Sequence, residues 1–139
     1  MRLKNNKSGF TLLEIIIVII IVGVLASLAL PRFFSTVEFS KSTEALASLS
    51  VVRGAVERCY LGQAGTYVNC LITNQDVEDP GSSPGARFTY SMGSQSATGY
   101  TIRATRRSID GGDGSSMITL TQSATGVTRV GTGKFIGIK

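Results

Sequence analysis

The pattern of apolar and polar residues divides the chain into a continuous apolar run and a longer, periodic part. The run covers residues 10–30, contains Glu14 as its one charged residue, and ends against Pro31. A helix of this length is roughly 30 Å long, which matches the hydrocarbon core of a bilayer. Its apolar side chains outweigh the cost of one carboxylate near the edge, so the run is predicted to insert into a membrane.

Beyond Pro31 the apolar residues recur every three or four positions, which is typical of one face of a helix. The predicted buried stripe consists of Ala45, Leu49, Val52, Val56 and Tyr60. The charged residues expected on or near the opposite side are Lys41, Glu44, Glu57 and Arg58. We therefore predict one helix over residues 10–61, bent near Pro31 because proline removes a backbone donor and clashes with the preceding turn.

Turn-forming residues and strand-like stretches follow this helix. Residues 62–85 are dense in glycine, serine and proline, which predicts a connecting loop. Alternating, β-branched and aromatic residues predict strands at 87–92, 100–106, 117–121 and 126–130, with turns that include Gly93 and Ser94. The predicted fold class is α+β: a long protruding N-terminal helix packed on an antiparallel sheet of about four strands in residues 86–139.

Composition and charge exclude several kinds of site. The 139-residue chain has no histidine and only two cysteines, which excludes Ser–His and Cys–His nucleophile pairs and the usual zinc ligand sets. Arg2, Lys4 and Lys7 contribute +3 of the net charge of +5, so the remaining chain is weakly basic and does not indicate dedicated nucleic-acid binding. The basic end is expected to stay in the cytoplasm while the rest is exported.

Three interpretations of the apolar run are open on this basis. It is a plain membrane anchor, a signal peptide cut near Ala29, or an assembly segment in which Glu14 has a specific partner. Apolar regions of signal peptides are usually shorter and carry no acid. No basic residue within the run can pair with Glu14, so the expected partner is an α-amino group created by cleavage just upstream.

The start of the run resembles the prepilin cleavage site of type IV pilins and type II secretion pseudopilins. The matching residues are Lys7-Ser8-Gly9-Phe10-Thr11-Leu12-Leu13-Glu14. The resemblance implies a basic leader, residues 1–9, that is cleaved after Gly9, and N-methylation of the new N-terminal Phe10. It also implies that Glu14 neutralises the Phe10 amine of a neighbouring subunit during assembly.

The same resemblance implies the organisation and the role of the chain. Residues 10–30 would form the transmembrane and filament-core helix, residues 31–61 its amphipathic continuation, and Pro31 a helix bend found in many members. The chain would be a structural subunit, not an enzyme. It would lie in the bacterial inner membrane as a single-pass precursor and then form a homo-oligomeric helical filament at the cell surface or across the periplasm. Implied partners are a prepilin peptidase/methyltransferase, an inner-membrane assembly platform and an ATPase.

Two alternatives to a pilus subunit are kept. One is the major pseudopilin of a type II secretion system, whose members resemble one another in a C-terminal calcium-binding region. The closely spaced Asp110 and Asp113 are weak candidates for such a site, because the third acid and the bidentate glutamate of a calcium loop are missing. A solvated hairpin turn is the favoured interpretation, and no cofactor is expected. The other alternative is a soluble exported binding module cut after Ala29.

Two further groups of residues receive structural interpretations. Cys59 and Cys70 are expected on the exported side, where disulfides persist, and their bond would restrict the unfolded chain by roughly 3 kcal/mol. Two separately buried thiols are the alternative. Arg103, Arg106 and Arg107, with Arg87 nearby in sequence, could form a basic surface that touches DNA or anionic membrane. In a strand, Arg103 and Arg107 share a face while Arg106 points the other way, so a solvated sheet face is the favoured interpretation. The aromatic residues after the bend, interpreted as subunit packing, are Phe33, Phe34 and Phe39.

Overall fold

The α+β fold class is confirmed by a computed structural model that describes residues 9–74 and 79–139. Two helices are followed by a four-stranded antiparallel sheet in the order β1-β2-β3-β4. The elements are α1 (Leu12–Ser40), α2 (Ser42–Gly62), β1 (Phe88–Gln95), β2 (Tyr100–Arg106), β3 (Met117–Ser123) and β4 (Gly126–Gly131), with short 3₁₀ turns at Ile72–Asn74 and Gly133–Phe135. The chain forms two compact units whose boundary lies between Thr36 and Val37.

The predicted single helix is interrupted at Lys41, which separates α1 from α2. The amide of Lys41 donates to the carbonyl of Glu38, and the amide of Glu44 donates to the carbonyl of Lys41, each over 3.2 Å. Both bonds span three residues instead of four, so the helix tightens into a 3₁₀-type turn at this point. The hydroxyls of Ser40 and Thr43 donate to backbone carbonyls one turn earlier, which satisfies acceptors near the break.

Helix α1 continues through Pro31 without interruption. The ring removes one backbone donor, and one turn further on the Thr36 hydroxyl donates to the carbonyl of Arg32 over 3.0 Å. The bend at Pro31 stays a prediction.

The unit that begins at Val37 is built around the predicted apolar stripe of α2. Ala45, Leu49, Val52 and Val56 are buried, and Tyr60 is packed against the same cluster. On the sheet side the cluster contains Phe88, Tyr100, Ile102, Ala104, Ile118, Leu120 and Phe135. Inward and outward positions alternate along β2, as expected for a sheet with one covered face. The stripe is therefore the core of this unit.

Strand β1 runs three residues beyond its predicted end, so the turn predicted at Gly93 and Ser94 is wrong. The register with β2 shifts between Met92 and Gln95, and the irregularity includes Gly93. A Cβ on Gly93 would lie 2.1 Å from the Thr101 Oγ1 atom on the neighbouring strand. Glycine here permits close strand approach within a bulge, so it does not terminate the strand.

Candidate functional site

From Leu12 onward the apolar run forms the first part of α1, and its side chains face outward. By length and composition, the described residues contain one helix near the N-terminus able to cross a membrane, and its most apolar window has a mean hydropathy of 3.0 with no residue buried. Among residues 10–30, the exposure of the large apolar side chains ranges from 40% at Ile16 to 81% at Phe10. Such a surface is not stable in water, so it needs lipid or other apolar helices around it.

The beginning of α1 is fixed by a cap that the sequence interpretation did not include. Gly9, Phe10 and Thr11 precede the helix. The Thr11 hydroxyl accepts a hydrogen bond from the amide of Glu14 over 3.2 Å, and the Thr11 carbonyl accepts from the amide of Ile15. Thr11 is thus the N-cap, three residues before a glutamate, which is the spacing of a capping box. This spacing is visible in the sequence and was a signal for the helix start.

Glu14 lies in the first turn of α1 and is exposed. Its carboxylate has no hydrogen bond or ion pair to another residue within 9–74 or 79–139. The positive end of the helix dipole favours a carboxylate at this place. The predicted partner, the Phe10 amine of another chain, stays a prediction. Within the subunit, the Glu14 carboxylate lies in an apolar surface. It is therefore free to pair with a group of another chain.

A buried group of charged residues joins the end of α1 to the sheet. Arg106 is completely buried, its Nε donates to Glu38 Oε1 over 2.5 Å, and Lys41 Nζ lies 3.1 Å from Glu38 Oε2. The guanidinium also donates to the backbone carbonyls of Arg87, Arg107 and Asp110. Burial alone would raise the pKa of Glu38, but the hydrogen bonds and charges of Arg106 and Lys41 lower it below its ordinary value.

Arg106 points away from Arg103, as predicted, but the sheet face on which it lies is buried and not solvated. The alternation of β2 places Arg106 on the same side as Tyr100, Ile102 and Ala104, which is the covered side. Arg103 points to the other side and is exposed. The alternation along β2 shows on which side of the sheet Arg106 lies. It does not show that Glu38, 68 positions away in the sequence, pairs with Arg106 there.

Asp110 belongs to an exposed ion-pair network next to this buried group. Arg87 Nε lies 2.8 Å from Asp110 Oδ2, and Arg87 Nη1 lies 2.9 Å from Glu44 Oε2. Lys41 Nζ approaches the same Asp110 oxygen to 3.4 Å. The hydrogen bond from Arg87, and then the charge and hydrogen bond of Lys41, lower the pKa of Asp110. Its carboxylate is shared between two cations.

Asp113 organises the loop between β2 and β3. Its carboxylate accepts hydrogen bonds from the amides of Ser115 and Ser116, over 3.0 and 2.9 Å, and from the Ser116 hydroxyl. These bonds, led by that of the Ser116 hydroxyl, hold the pKa of Asp113 far below its ordinary value. Asp110 and Asp113 thus have separate partners. No group of three potential metal ligands among His, Cys, Asp and Glu occurs in the described parts of the chain.

Glu57 faces the sheet side of α2, so its predicted place on or near the opposite side is wrong. One carboxylate oxygen accepts from the Tyr67 hydroxyl over 2.9 Å and the other from the Tyr100 hydroxyl over 3.0 Å. The rings of Tyr67 and Tyr100 lie 4.7 Å apart between centroids. Burial, together with the hydrogen bond and charge of Glu57, raises the pKa of Tyr67 to about 12.

The predicted disulfide between Cys59 and Cys70 is present, with 5.8 Å between the Cα atoms. It joins the last turn of α2 to the following loop, close to the Glu57 cluster. Gln95 Nε2 donates to the carbonyl of Cys70 over 2.7 Å, which also connects this loop to β1. The end of α2, the loop and the sheet are therefore held together by a covalent bond and by side-chain hydrogen bonds.

Comparisons with known proteins agree with the geometry of the N-terminal segment. Residues 4–30 match the family described as the prokaryotic N-terminal methylation motif. The chain is 31% identical to type IV major fimbrial protein FimA of Dichelobacter nodosus over 105 residues, covering 65% of this chain and 67% of that protein. The chain belongs to the type IV pilin and pseudopilin family. It is thus a pilin-type structural subunit with a hydrophobic N-terminal helix.

Other relatives of this pilin-family chain match over shorter lengths. It is 39% identical to type II secretion system core protein G of Escherichia coli (strain K12) over 57 residues, covering 41% of this chain and 38% of that protein. It is 43% identical to fimbrial protein EcpC of Eikenella corrodens over 58 residues, covering 42% of this chain and 38% of that protein. Against these two relatives, the pilin-family chain spans less than two fifths of their length.

Proposed function

We propose that this pilin-family chain is the repeating subunit of a type IV pilus-like surface filament. The observation that carries the proposal is the exposed apolar surface of α1 with a single acid in its first turn. An apolar helix of this length is stable first in a membrane and then among identical helices. The proposed sequence is a single-pass precursor in the inner membrane, followed by transfer of α1 from lipid into the filament core.

Processing creates the partner of Glu14 in this proposal. A prepilin peptidase/methyltransferase removes residues 1–9 after Gly9 and methylates the Phe10 amine. The amine and the Glu14 carboxylate of a neighbouring subunit then pair at nearly the same depth, which offsets the cost of removing both charges from water. The pairing also fixes the axial register between subunits. An inner-membrane assembly platform, driven by a cytoplasmic ATPase, supplies the mechanical work.

A pilus subunit is favoured over a secretion pseudopilin by the extent of the alignments. The alignment with FimA covers 65% of this chain, whereas that with the secretion protein covers 41%. The engagement of Asp110 and Asp113 with protein partners also favours a pilin over a calcium-dependent pseudopilin. No enzymatic activity and no cofactor form part of the proposal.

The proposal is tested by comparing filament yield in Glu14→Gln and Glu44→Gln variants. Glu44 is a suitable control because its carboxylate is exposed on α2, where an exposed ion pair contributes little to stability. Both variants should reach the membrane fraction in normal amounts. Glu14→Gln should give few sheared filaments, because the amine of the next subunit loses its charged partner, while Glu44→Gln should assemble normally. Normal filament yield from Glu14→Gln would contradict the pairing.

The intact mass of the assembled protein tests the processing step independently. A chain that begins at N-methylated Phe10 is the expected result. A chain that begins near Leu30 would identify the apolar run as a signal peptide, and the filament proposal would then be wrong.

A further inference from the structure

One face of α1 carries a groove with apolar walls and a cation at one end. Leu25, Leu28, Ala29 and Arg32 line this groove, whose volume is about 440 Å³. Leu28, Ala29 and Arg32 follow Leu25 by three, four and seven residues, so all four lie on the same helix face. Leu25 and Leu28 are 61% and 70% exposed, which leaves the groove open along its length.

Arg32 has no counter-charge in its surroundings. It is the only charged residue between Glu14 and Glu38 in the sequence. In the part of the chain that the structure describes, no ion pair involves its guanidinium. Glu14 is already matched with the Phe10 amine in the proposed filament, and Glu38 is matched with Arg106 and Lys41. Among the charged residues of α1, Arg32 is therefore the one with no counter-charge in either the described structure or the proposed filament.

The position of Arg32 along the helix indicates where this cation lies in a membrane. Arg32 follows Phe10 by 22 residues, which corresponds to about 33 Å of helix, close to the thickness of the hydrocarbon core. When Phe10 is at one interface, Arg32 is therefore at the other, in the layer of lipid phosphates. Phe33 and Phe34 follow directly and are 62% and 64% exposed, so no residue of the described subunit covers this end of the segment.

We propose that Arg32 binds the phosphodiester of a glycerophospholipid in the leaflet opposite the Phe10 end. A guanidinium matches two phosphate oxygens in a bidentate arrangement. One acyl chain of the same lipid lies along Leu25 and Leu28. The apolar walls favour a lipid phosphate over a free phosphate ion, which would gain nothing from them. This inference rests on the membrane stage of the proposed function and adds a ligand to it.

The test uses the full chain, extracted from membranes in mild detergent and examined by native mass spectrometry. The probes are phosphatidylglycerol and a diacylglycerol with the same acyl chains, which lacks the phosphate. The wild-type chain should retain phosphatidylglycerol and not diacylglycerol. Arg32→Gln should lower phosphatidylglycerol retention by about fivefold or more, the effect of one arginine at an anionic lipid surface. Arg58→Gln, which removes an exposed arginine of α2, should retain the lipid as the wild type does.

Several results would overturn the inference. Equal retention of the two probes by the wild-type chain would show that the phosphate is not recognised, and this comparison needs no variant. Equal retention of phosphatidylglycerol by Arg32→Gln and the wild type would exclude Arg32, and release by inorganic phosphate would show a free-anion site instead. Filaments that form normally alongside any of these results would leave the proposed function intact. A wild-type chain absent from the membrane fraction would overturn both.

Discussion

Arg106 Nε and Glu38 Oε1 are joined by a hydrogen bond of 2.5 Å between residues that are 68 positions apart. The pair connects the end of α1 to the end of β2, and both residues are buried. Two buried charges are costly unless they are paired and hydrogen-bonded, and here each has further polar partners. The pair therefore ties the helical segment after Val37 to the sheet in one specific arrangement.

Removal of one partner from this pair should strongly destabilise the fold. Glu38→Gln leaves the buried Arg106 charge without its carboxylate, so the free energy of unfolding should fall by about 3–5 kcal/mol. Guanidinium-induced unfolding of the detergent-solubilised chain measures this change. Arg103→Gln, on the exposed side of the same strand, should change stability by less than about 0.5 kcal/mol. Similar losses in both variants would contradict a special role for the pair.

Loss of the disulfide should lower stability without changing the fold. The bond between Cys59 and Cys70 closes a short loop, and its removal should cost roughly 3 kcal/mol because the unfolded chain regains conformational freedom. The paired substitution Cys59→Ser and Cys70→Ser should lower the thermal unfolding temperature to that of the reduced wild type. A reductant should have no effect on the substituted chain. If a reductant does lower the unfolding temperature of the substituted chain, its effect on the wild type is not due to the Cys59–Cys70 bond.

Acid should destabilise the loop that Asp113 organises. The pKa of Asp113 is lower in the folded chain than its unfolded value of about 3.9. The folded state therefore binds fewer protons than the unfolded state in this range. The stabilisation is fully present above about pH 4 and is lost as pH falls further.

Variants of two neighbouring serines test this acid dependence. Ser116→Ala removes the hydroxyl that is the main cause of the lowered pKa, so the decrease in unfolding free energy below pH 4 should become shallower. Ser115→Ala is the control, because Ser115 reaches Asp113 through its backbone amide, which the substitution retains. The measurement is the free energy of unfolding as a function of pH. An unchanged acid dependence in Ser116→Ala would contradict the assignment.

Alkali should destabilise the fold through Tyr67. Its pKa is raised to about 12, whereas an unfolded tyrosine ionises near 10. Between these values the unfolded state has lost a proton that the folded state keeps, so stability is fully present below pH 10 and decreases as pH rises. Tyr67→Phe should reduce the slope by at most about 1.4 kcal/mol per pH unit. Phenolate absorbance of the folded chain checks the same point, because Tyr67→Phe should remove one late-ionising group.

The elements that follow from local pattern were predictable from the sequence. The α2 stripe from Ala45 to Val56 is buried as its period predicts, and β2 has its predicted bounds. The Gly9–Glu14 motif also indicated the family before any contact was known. These features depend on residues close to one another in the chain, so a single sequence contains enough information to place them.

The polar partners were not predictable in the same way. Glu57 was expected on the solvent side because it is charged, but the hydroxyls of Tyr67 and Tyr100 compensate its carboxylate from two other elements. Gly93 resembled a turn because glycine is common in turns, although its actual role depends on the Thr101 side chain of the next strand. Such contacts join distant positions, and one sequence does not reveal which distant groups meet.

The Thr11 cap has a consequence for processing. Because α1 begins at Leu12, the Gly9–Phe10 peptide bond lies outside the helical hydrogen-bond pattern. Proteases act on chain that is free to adopt an extended conformation in their clefts, and a helix would first have to unwind. Here the helix starts two residues beyond the proposed scissile bond. In the proposed processing, the Gly9–Phe10 bond can therefore be cut without unwinding α1.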